Sequence, residues 1–339
     1  MSVVTSKPRI QPGLFGLMSP LAAIFQLAVV TRNLLYDRRL LPARRLQGPV
    51  ISIGNLSVGG SGKTPFVILL GKLLNERGVR FDVLSRGYGR SRQAMLEVNP
   101  GGLPVDFGDE PLLIARQLGV PVIVGEDRYE AGAYAEKKFG PQLHLLDDGF
   151  QHRALARDFD IVLLPAEDAG DRMLPAGRLR EPVSSLRRTH AVVLSSALPA
   201  ESLPVEDKLI WRVRRGITLK NVPPHPVAFC GIARPRNFLL ELRAQGVELA
   251  AEAVFRDHHR YREQDVRQLL HLKVRSDAGG FVTTEKDAVN LGGYLSALEP
   301  VAVIPVRMDL ANATDVLDTM LRMIAESRRK HEKIGDARL

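Results

Sequence analysis

Short apolar runs rich in Val, Ile and Leu alternate with helix-spaced amphipathic stretches along the first two-thirds of the chain. The first run, Val50 to Ile53, leads through a glycine-rich segment into apolar positions at helical spacing from Phe66 to Asn75, with Gly78 where a helix stop belongs. Further strand-like runs follow at Arg80–Leu84, Val120–Val124, Gln142–Leu146, Asp160–Leu164 and Ala191–Ser195. Helical patterns at Glu110–Leu118 and Arg128–Phe139 fall between them. That rhythm predicts βαβ units and therefore an α/β fold with a parallel, doubly wound sheet.

The pattern changes near residues 197–226, where Pro-rich stretches flank the run Leu209–Val213. It restarts at Val227 with a strand ending in Gly231, helices at 235–245 and 263–273, strands at 280–284 and 301–305, and a helix at 313–327. The division expected is an N-terminal segment at 1–45, a nucleotide-binding domain at 46–205, a linker at 206–225 and a smaller α/β domain at 226–339. The charged tail from Arg328 is expected to fray.

Charge singles out the N-terminus. Seven Lys/Arg against one acid, Asp37, put most of the chain's +9 excess into its first fifty residues. Leu14 to Val30 carries no charge, but Pro20 and Gln26 interrupt it, leaving about a dozen helical residues before Arg32. A spanning helix needs ~20 apolar residues. No small-residue cleavage site of a signal peptide follows. Two readings stand: a segment lying in a membrane interface, with arginines toward anionic lipid, or a helix packed on the protein's own core. Both can hold together.

Val50-Ile-Ser-Ile-Gly-Asn-Leu-Ser-Val-Gly-Gly-Ser-Gly-Lys-Thr-Pro65 is the strongest chemical signal. Strand, glycine loop and helix in succession form a phosphate-binding loop, with Ser57, Val58, Gly59, Gly60, Ser61, Gly62, Lys63 and Thr64 as the residues that cradle a nucleoside triphosphate. Lys63 supplies a point charge for the β/γ-phosphates and Thr64 a hydroxyl for Mg²⁺. Ser57 stands where the usual pattern has its first glycine. A generic glycine turn is the plain alternative.

Asp147 and Asp148 end the apolar run Leu143–Leu146, the position from which a carboxylate reaches Mg²⁺ beside the loop. Asp109 and Glu110 begin a helix; capping explains Asp109 adequately, and so does a base that accepts a hydroxyl proton during phosphoryl transfer. Arg86, Arg128, Arg178 and Arg180 add guanidinium groups suited to phosphate. His258 and His259 are adjacent, so they point apart and cannot share one metal; one of them paired with a carboxylate in a cleft is the more plausible use. The single cysteine, Cys230, excludes an intrachain disulfide and sits in an apolar run.

In combination these stretches resemble the tetraacyldisaccharide 4'-kinase family, the lipid A 4'-kinases of Gram-negative bacteria. The matching residues are Ile53-Gly-Asn through Pro65, Ser85–Gly89, Gly108–Pro111, Asp147–Arg153, Leu179–Pro182, Phe255–His259 and Thr284–Asp287. The resemblance covers most of residues 14–290. It implies a P-loop NTPase-like sheet domain, a second α/β domain and a membrane-associating N-terminal helix. It further implies ATP and Mg²⁺ as cofactors and transfer of the γ-phosphate to the 4'-hydroxyl of tetraacyldisaccharide 1-phosphate. Asp109 is then the expected base with His258 beside it, brought there by closure of the second domain, and His259 the lesser alternative. Arg128 is expected near the transferring phosphate, Thr64, Asp147 and Asp148 at the metal, and Arg86, Glu110, Gln151, His152, Arg180 and Glu181 as substrate candidates. The implied location is the cytoplasmic face of the inner membrane, held peripherally, with the lipid substrate and membrane surface as partners.

Two other classes of P-loop protein would leave different marks in the sequence. A P-loop switch or metallochaperone GTPase calls for an Asn-Lys-x-Asp stretch or ligand cysteines, and the chain has neither. A nucleic-acid-binding ATPase is prompted by the positive charge, yet no basic stripe interleaved with aromatics appears, so no nucleic-acid partner is expected.

Overall fold

The computed structural model describes residues 12–91, 93–195, 198–201 and 203–336. In chain order the strands are β1 (Val50–Asn55), β2 (Phe81–Ser85), the two-residue β3 (Leu96–Glu97), β4 (Val122–Val124), β5 (Leu143–Asp147) and β6 (Phe159–Leu164). Then follow β7 (Ala191–Ser195), β8 (Leu209–Ile217), β9 (Val227–Cys230), β10 (Ala251–Val254), β11 (Phe281–Thr284), β12 (Val301–Ile304) and β13 (Val306–Leu310).

The chain forms two compact units. The first takes residues 1–86, 120–214 and 309–339, and the second takes 87–119 and 215–308. In the first, strands run in the order β8-β7-β6-β1-β5-β2-β4, with β13 at the β8 edge. The pairs from β8 to β4 are parallel, as the alternation of strands and helices requires. Strands β1, β2, β5 and β6 are buried along their whole length, which is why their sequences read as continuous apolar runs. The second unit holds the sheet β10-β9-β11-β12, all parallel, with Phe229, Phe281, Leu269 and Leu298 in its core.

The α/β expectation holds, and the division of the chain differs from the one read from sequence. Residues 87–119 join the second unit, although they precede most of the first unit's strands. The expected linker at 206–225 contains the nine-residue β8, which pairs with β7. The final helix, Ala313–Asp336, belongs to the first unit and runs past Arg328, where fraying was expected; 337–339 of that tail lie outside the described residues. Leu317, Met320 and Ile324 are buried. Arg328 donates to the carbonyls of Gln47 and Gly48 and pairs with Asp158 at 2.9 Å, which fixes the segment. Ala251–Val254 and Val306–Leu310 form strands that the sequence did not announce, because neither is a long apolar run.

The N-terminal helix spans Pro12–Asp37, 26 residues, and is longer than the dozen expected. Pro20 deprives it of one hydrogen bond, yet the helix passes through. Its C-terminal half is tied to the first unit: Val29 is buried in a cluster with Leu56, Phe150 and Val162, and Phe25 packs on the same cluster. Asn33 donates to Glu181 at 2.7 Å, and Arg153 pairs with Asp37 at 2.7 Å. Leu21, Ile24, Leu27, Val30 and Leu34 follow one another at intervals of three or four and are all exposed. The helix therefore has one side packed on the first unit and one that is apolar and exposed. Among the described residues, no helix is long and apolar enough to cross a membrane.

Candidate active site

The glycine loop leaves β1 at Asn55 and enters the helix Lys63–Glu76. Gly59, Gly60 and Gly62 hold φ of +72°, +62° and +86°, a left-handed region costly for any residue with a Cβ. Lys63 curls back: its Nζ donates to Asn55 Oδ1 at 2.9 Å and lies 3.4 Å from Asp148 Oδ1. Thr64 is buried behind it. Ser57 is fully buried, and its Oγ donates to Asp168 Oδ2 at 2.5 Å. The Val58 amide donates to the Arg178 carbonyl at 2.9 Å. Ser57 is not among the residues with positive φ. No glycine is needed there, which explains the departure from the usual loop pattern.

Asp147 closes β5 beside β1, and Ser85 Oγ donates to its Oδ2 at 2.9 Å. Asp148 follows in a left-handed conformation, φ +52°, and accepts from Arg180 at 2.8 and 3.0 Å. Burial alone would raise the Asp148 carboxyl; the Lys63 and Arg180 cations outweigh it and hold the group well below the usual carboxylate range. Arg180 also donates to Asn55 Oδ1. Asn55 thus joins Lys63 and Arg180 in one polar knot. Sequence reading did not single it out, and the only signal was an amide at the end of an otherwise apolar strand.

Arg128 opens the helix Arg128–Phe139, whose N-terminus is capped by the Asp127 side chain. It is nearly buried and donates to the Glu126 carbonyl at 2.7 Å. Burial and the neighbouring Arg86 charge lower its pKa, opposed by Asp148 and Asp147; a guanidinium stays charged regardless. Burial, with the Arg128 and Arg157 charges, pushes His152 down to about 4, so this ring is neutral near pH 7. Gln151 donates to the Asn55 carbonyl at 3.0 Å. Glu181 has no exposure at all: it accepts from Arg188 at 2.7 and 2.9 Å and from Asn33 at 2.7 Å.

The second unit carries a different constellation. Gly108, with φ +90°, lets the chain turn tightly into the helix Asp109–Leu118; a Cβ there would stand 2.9 Å from the Tyr88 carbonyl oxygen. Asp109 is 4% exposed. Both its oxygens lie 2.9 Å from His258 Nδ1, and Asn290 Nδ2 donates to one of them at 3.0 Å. Burial favours the neutral acid, but the His258 hydrogen bond, the Lys286 charge and the Asn290 amide bring the carboxyl down to about 2. For His258, burial opposes protonation and the Asp109 hydrogen bond favours it more, so its pKa is raised. Lys286 Nζ reaches Glu110 at 3.2 Å and Asp257 at 3.2 Å. Asp109 and His258 line a cavity of about 430 Å³ together with Tyr88, Leu103, Asn290 and Tyr294.

His258, rather than His259, is the partner of Asp109. The His259 ring stacks on Phe255 with centroids 4.6 Å apart and contacts Asp265 at 3.1 Å. Closure of the second domain is not what brings His258 to Asp109, since both residues lie within one unit. Asn290 was not singled out from sequence, and Lys286 stood there only within the family stretch Thr284–Asp287, with no role of its own. Residues 109 and 290 are far apart along the chain, and a charged helix start reads as ordinary capping.

A glycine loop opening a helix on a parallel sheet, with acids ending the neighbouring strand, defines a P-loop nucleoside-triphosphate-binding protein. The model of one family, tetraacyldisaccharide-1-P 4'-kinase, matches residues 14–325. The chain belongs to that family. The tetraacyldisaccharide 4'-kinase of Koribacter versatilis is 50% identical over 317 residues, covering 91% of this chain and 98% of the relative. Its counterpart from Geobacter metallireducens is 39% identical, covering 87% and 94%. The crystal structure of the "apo" form of LpxK from Aquifex aeolicus in complex with ATP is similar in fold. Its TM-score is 0.75 at 34% identity, over 92% of this chain and 99% of that one.

Proposed function

We propose that this kinase transfers the γ-phosphate of ATP to the 4'-hydroxyl of tetraacyldisaccharide 1-phosphate, with Asp109 accepting the hydroxyl proton. The observation that carries the reading is the Asp109–His258 contact at 2.9 Å: a buried carboxylate, kept ionised, lining a cavity. ATP is assigned to the first unit's loop. Lys63 meets the β/γ-phosphates, and Arg128 and Arg180 balance the charge on the transferring group. Mg²⁺, when bound, neutralises phosphate charge, and Thr64, Asp147 and Asp148 are the residues that would hold it. Their hydroxyl and carboxylate oxygens are the hard donors that this ion takes. Among the described residues, no group of three or more His, Cys, Asp and Glu side chains could hold a metal by itself.

A carboxylate near 2 is a weak base toward an alcohol in the ground state. Phosphoryl transfer through a loose transition state asks little more. Asp109 orients the hydroxyl and takes its proton only as the new O–P bond forms. His258 and Asn290 fix the carboxylate for that task. Glu110 engages Lys286, while Gln151, His152 and Arg86 surround Arg128 and Asn55 on the phosphate side.

Membrane contact follows from the substrate. Four acyl chains leave a bilayer at ~0.8 kcal/mol per CH₂, so the enzyme must work at the surface. The exposed stripe from Leu21 to Leu34, with Arg38 and Arg39 beyond it, suits peripheral binding to anionic lipid. A requirement for ATP puts the enzyme at the cytoplasmic face of the inner membrane. The test is transfer of γ-labelled phosphate from Mg-ATP to tetraacyldisaccharide 1-phosphate in detergent micelles. Labelled lipid, absent with Lys63→Ala, supports the reading; ATP turnover without labelled lipid refutes the substrate.

A further inference from the structure

Lys286 stands at the start of the helix Glu285–Leu291, which Thr284 caps by accepting from the Asp287 amide. Its ammonium has three acceptors in reach: Glu110 Oε1 at 3.2 Å, Asp257 Oδ1 at 3.2 Å and His258 Nε2 at 3.3 Å. Asp109 Oδ2, at 3.8 Å, is beyond hydrogen-bond range and feels only the charge. An ammonium has three N–H donors and no acceptor. The bond between Lys286 and His258 can therefore run only from Nζ–H to a bare Nε2.

That constraint propagates across the ring. A neutral imidazole bare at Nε2 carries its proton on Nδ1, the atom 2.9 Å from both oxygens of Asp109. A carboxylate only accepts, so the proton on Nδ1 is the one that makes this contact a hydrogen bond. We infer that Lys286 is a positioning residue that sets His258 in the Nδ1–H tautomer, so that the ring donates to Asp109 and fixes its orientation.

The surrounding groups make this role necessary. Asp257 Oδ2 lies 3.8 Å from His258 Nε2 on the side opposite Asp109. Without a cation, that carboxylate would favour a second proton, on Nε2, beside the one Asp109 holds on Nδ1, giving an imidazolium. Lys286 takes the Nε2 lone pair and bonds the other Asp257 oxygen, Oδ1, so its charge offsets that carboxylate. The other groups around His258 and Lys286 are the Tyr88 ring, 5.2 Å from the imidazole, Glu110 and the buried Asp287, none of which donates to Nε2. The catalytic consequence rests on Asp109 being the base; the tautomer does not.

The test is long-range ¹H–¹⁵N correlation on the full chain labelled in its imidazole nitrogens, through a pH series from neutral to alkaline. His258→Gln identifies the His258 signals among the eight histidines. Expected on the alkaline side is a protonated Nδ1 and a bare Nε2. With Lys286→Met the titration midpoint should rise and the Nε2-protonated forms dominate, while Lys286→Arg, which still donates, should keep the wild-type tautomer. Alongside, Lys286→Met should lower kcat about tenfold or more with the KM for lipid little changed, and Lys286→Arg should recover part of it. An Nε2–H tautomer in the wild-type protein overturns the inference even if the variants fail to fold, and so does an unchanged Lys286→Met spectrum. If the spectra behave as expected but Asp109→Asn transfers phosphate normally, the base assignment fails while the role of Lys286 stands.

Discussion

His258 Nδ1 lies 2.9 Å from both carboxylate oxygens of Asp109, across 149 positions of sequence. The contact is built inside one unit because residues 87–119 leave the first unit's succession of strands and fold with 215–308. The carboxylate and imidazole are therefore held together by the packing of one unit, which preorganises them for the proposed transfer. Preorganisation of this kind lowers the reorganisation needed at the moment of transfer.

The same pair should mark the pH dependence of stability. Asp109 falls from 3.8 to about 2 on folding, so its contribution is present above the unfolded value and lost as pH falls through the folded one. His258 is raised, so its contribution is present below its unfolded value of about 6.5 and lost as pH rises through the folded one. The stability difference between wild type and Asp109→Asn should thus peak between about pH 4 and 6.5, at roughly 2 kcal/mol. Urea unfolding across pH measures it; a difference flat from pH 3 to 8 would count against the pairing.

Ser57→Gly would restore the usual loop pattern at the expense of the Asp168 contact. Both side chains are fully buried. Weakening a hydrogen bond to a buried carboxylate costs about 2 kcal/mol, so the midpoint of thermal unfolding should fall. ATP affinity should stay nearly unchanged, since the hydroxyl faces Asp168. Calorimetry reads both quantities, and a more stable variant would show that the serine is not retained for this bond.

Glu181 is expected to hold the fold together. Its carboxylate joins Arg188 and Asn33, with Arg32 at 3.6 Å, and so ties the N-terminal helix to the sheet unit. Glu181→Ala leaves the Arg188 charge without its partner, at a cost of about 3 kcal/mol. Denaturant midpoints should show the loss, and limited proteolysis should show earlier cutting near residues 30–40. An undiminished midpoint would return Glu181 to the list of groups acting on substrate.

The exposed stripe on the N-terminal helix makes a separable prediction. Replacing Leu21, Ile24 and Leu27 together with Ser should weaken sedimentation with anionic vesicles at least tenfold, because exposed leucine-sized side chains each gain roughly 1–2 kcal/mol on burial. The melting temperature should hold, as Val29 and Phe25, which pack on the first unit, are left in place. Unchanged vesicle binding would place the membrane contact elsewhere.

Much of this was legible in the sequence, for reasons that can be named. The strands of the first sheet are apolar on both faces, and a glycine loop with Lys63 and Thr64 declares phosphate chemistry by itself. The pairing of Asp109 with His258 was reached by family resemblance rather than by spacing, because local sequence reveals nothing of a contact 149 positions long. The N-terminal helix was read too short because Pro20 and Gln26 were taken to interrupt it, whereas the helix runs through both. Lys286 stayed hidden within a stretch that reads as a capped helix start. Its three acceptors come from two separate segments, Glu110 and the adjacent pair Asp257 and His258.

Single-turnover phosphate transfer by Asp109→Asn, beside ATP binding by the same protein, tests the role of Asp109 most directly. ATP binding within a few-fold of wild type, with transfer slowed by about 10² to 10⁴, is the result expected when a positioned base is lost. Transfer at a near-wild-type rate would contradict it and leave the His258 contact as a structural tie.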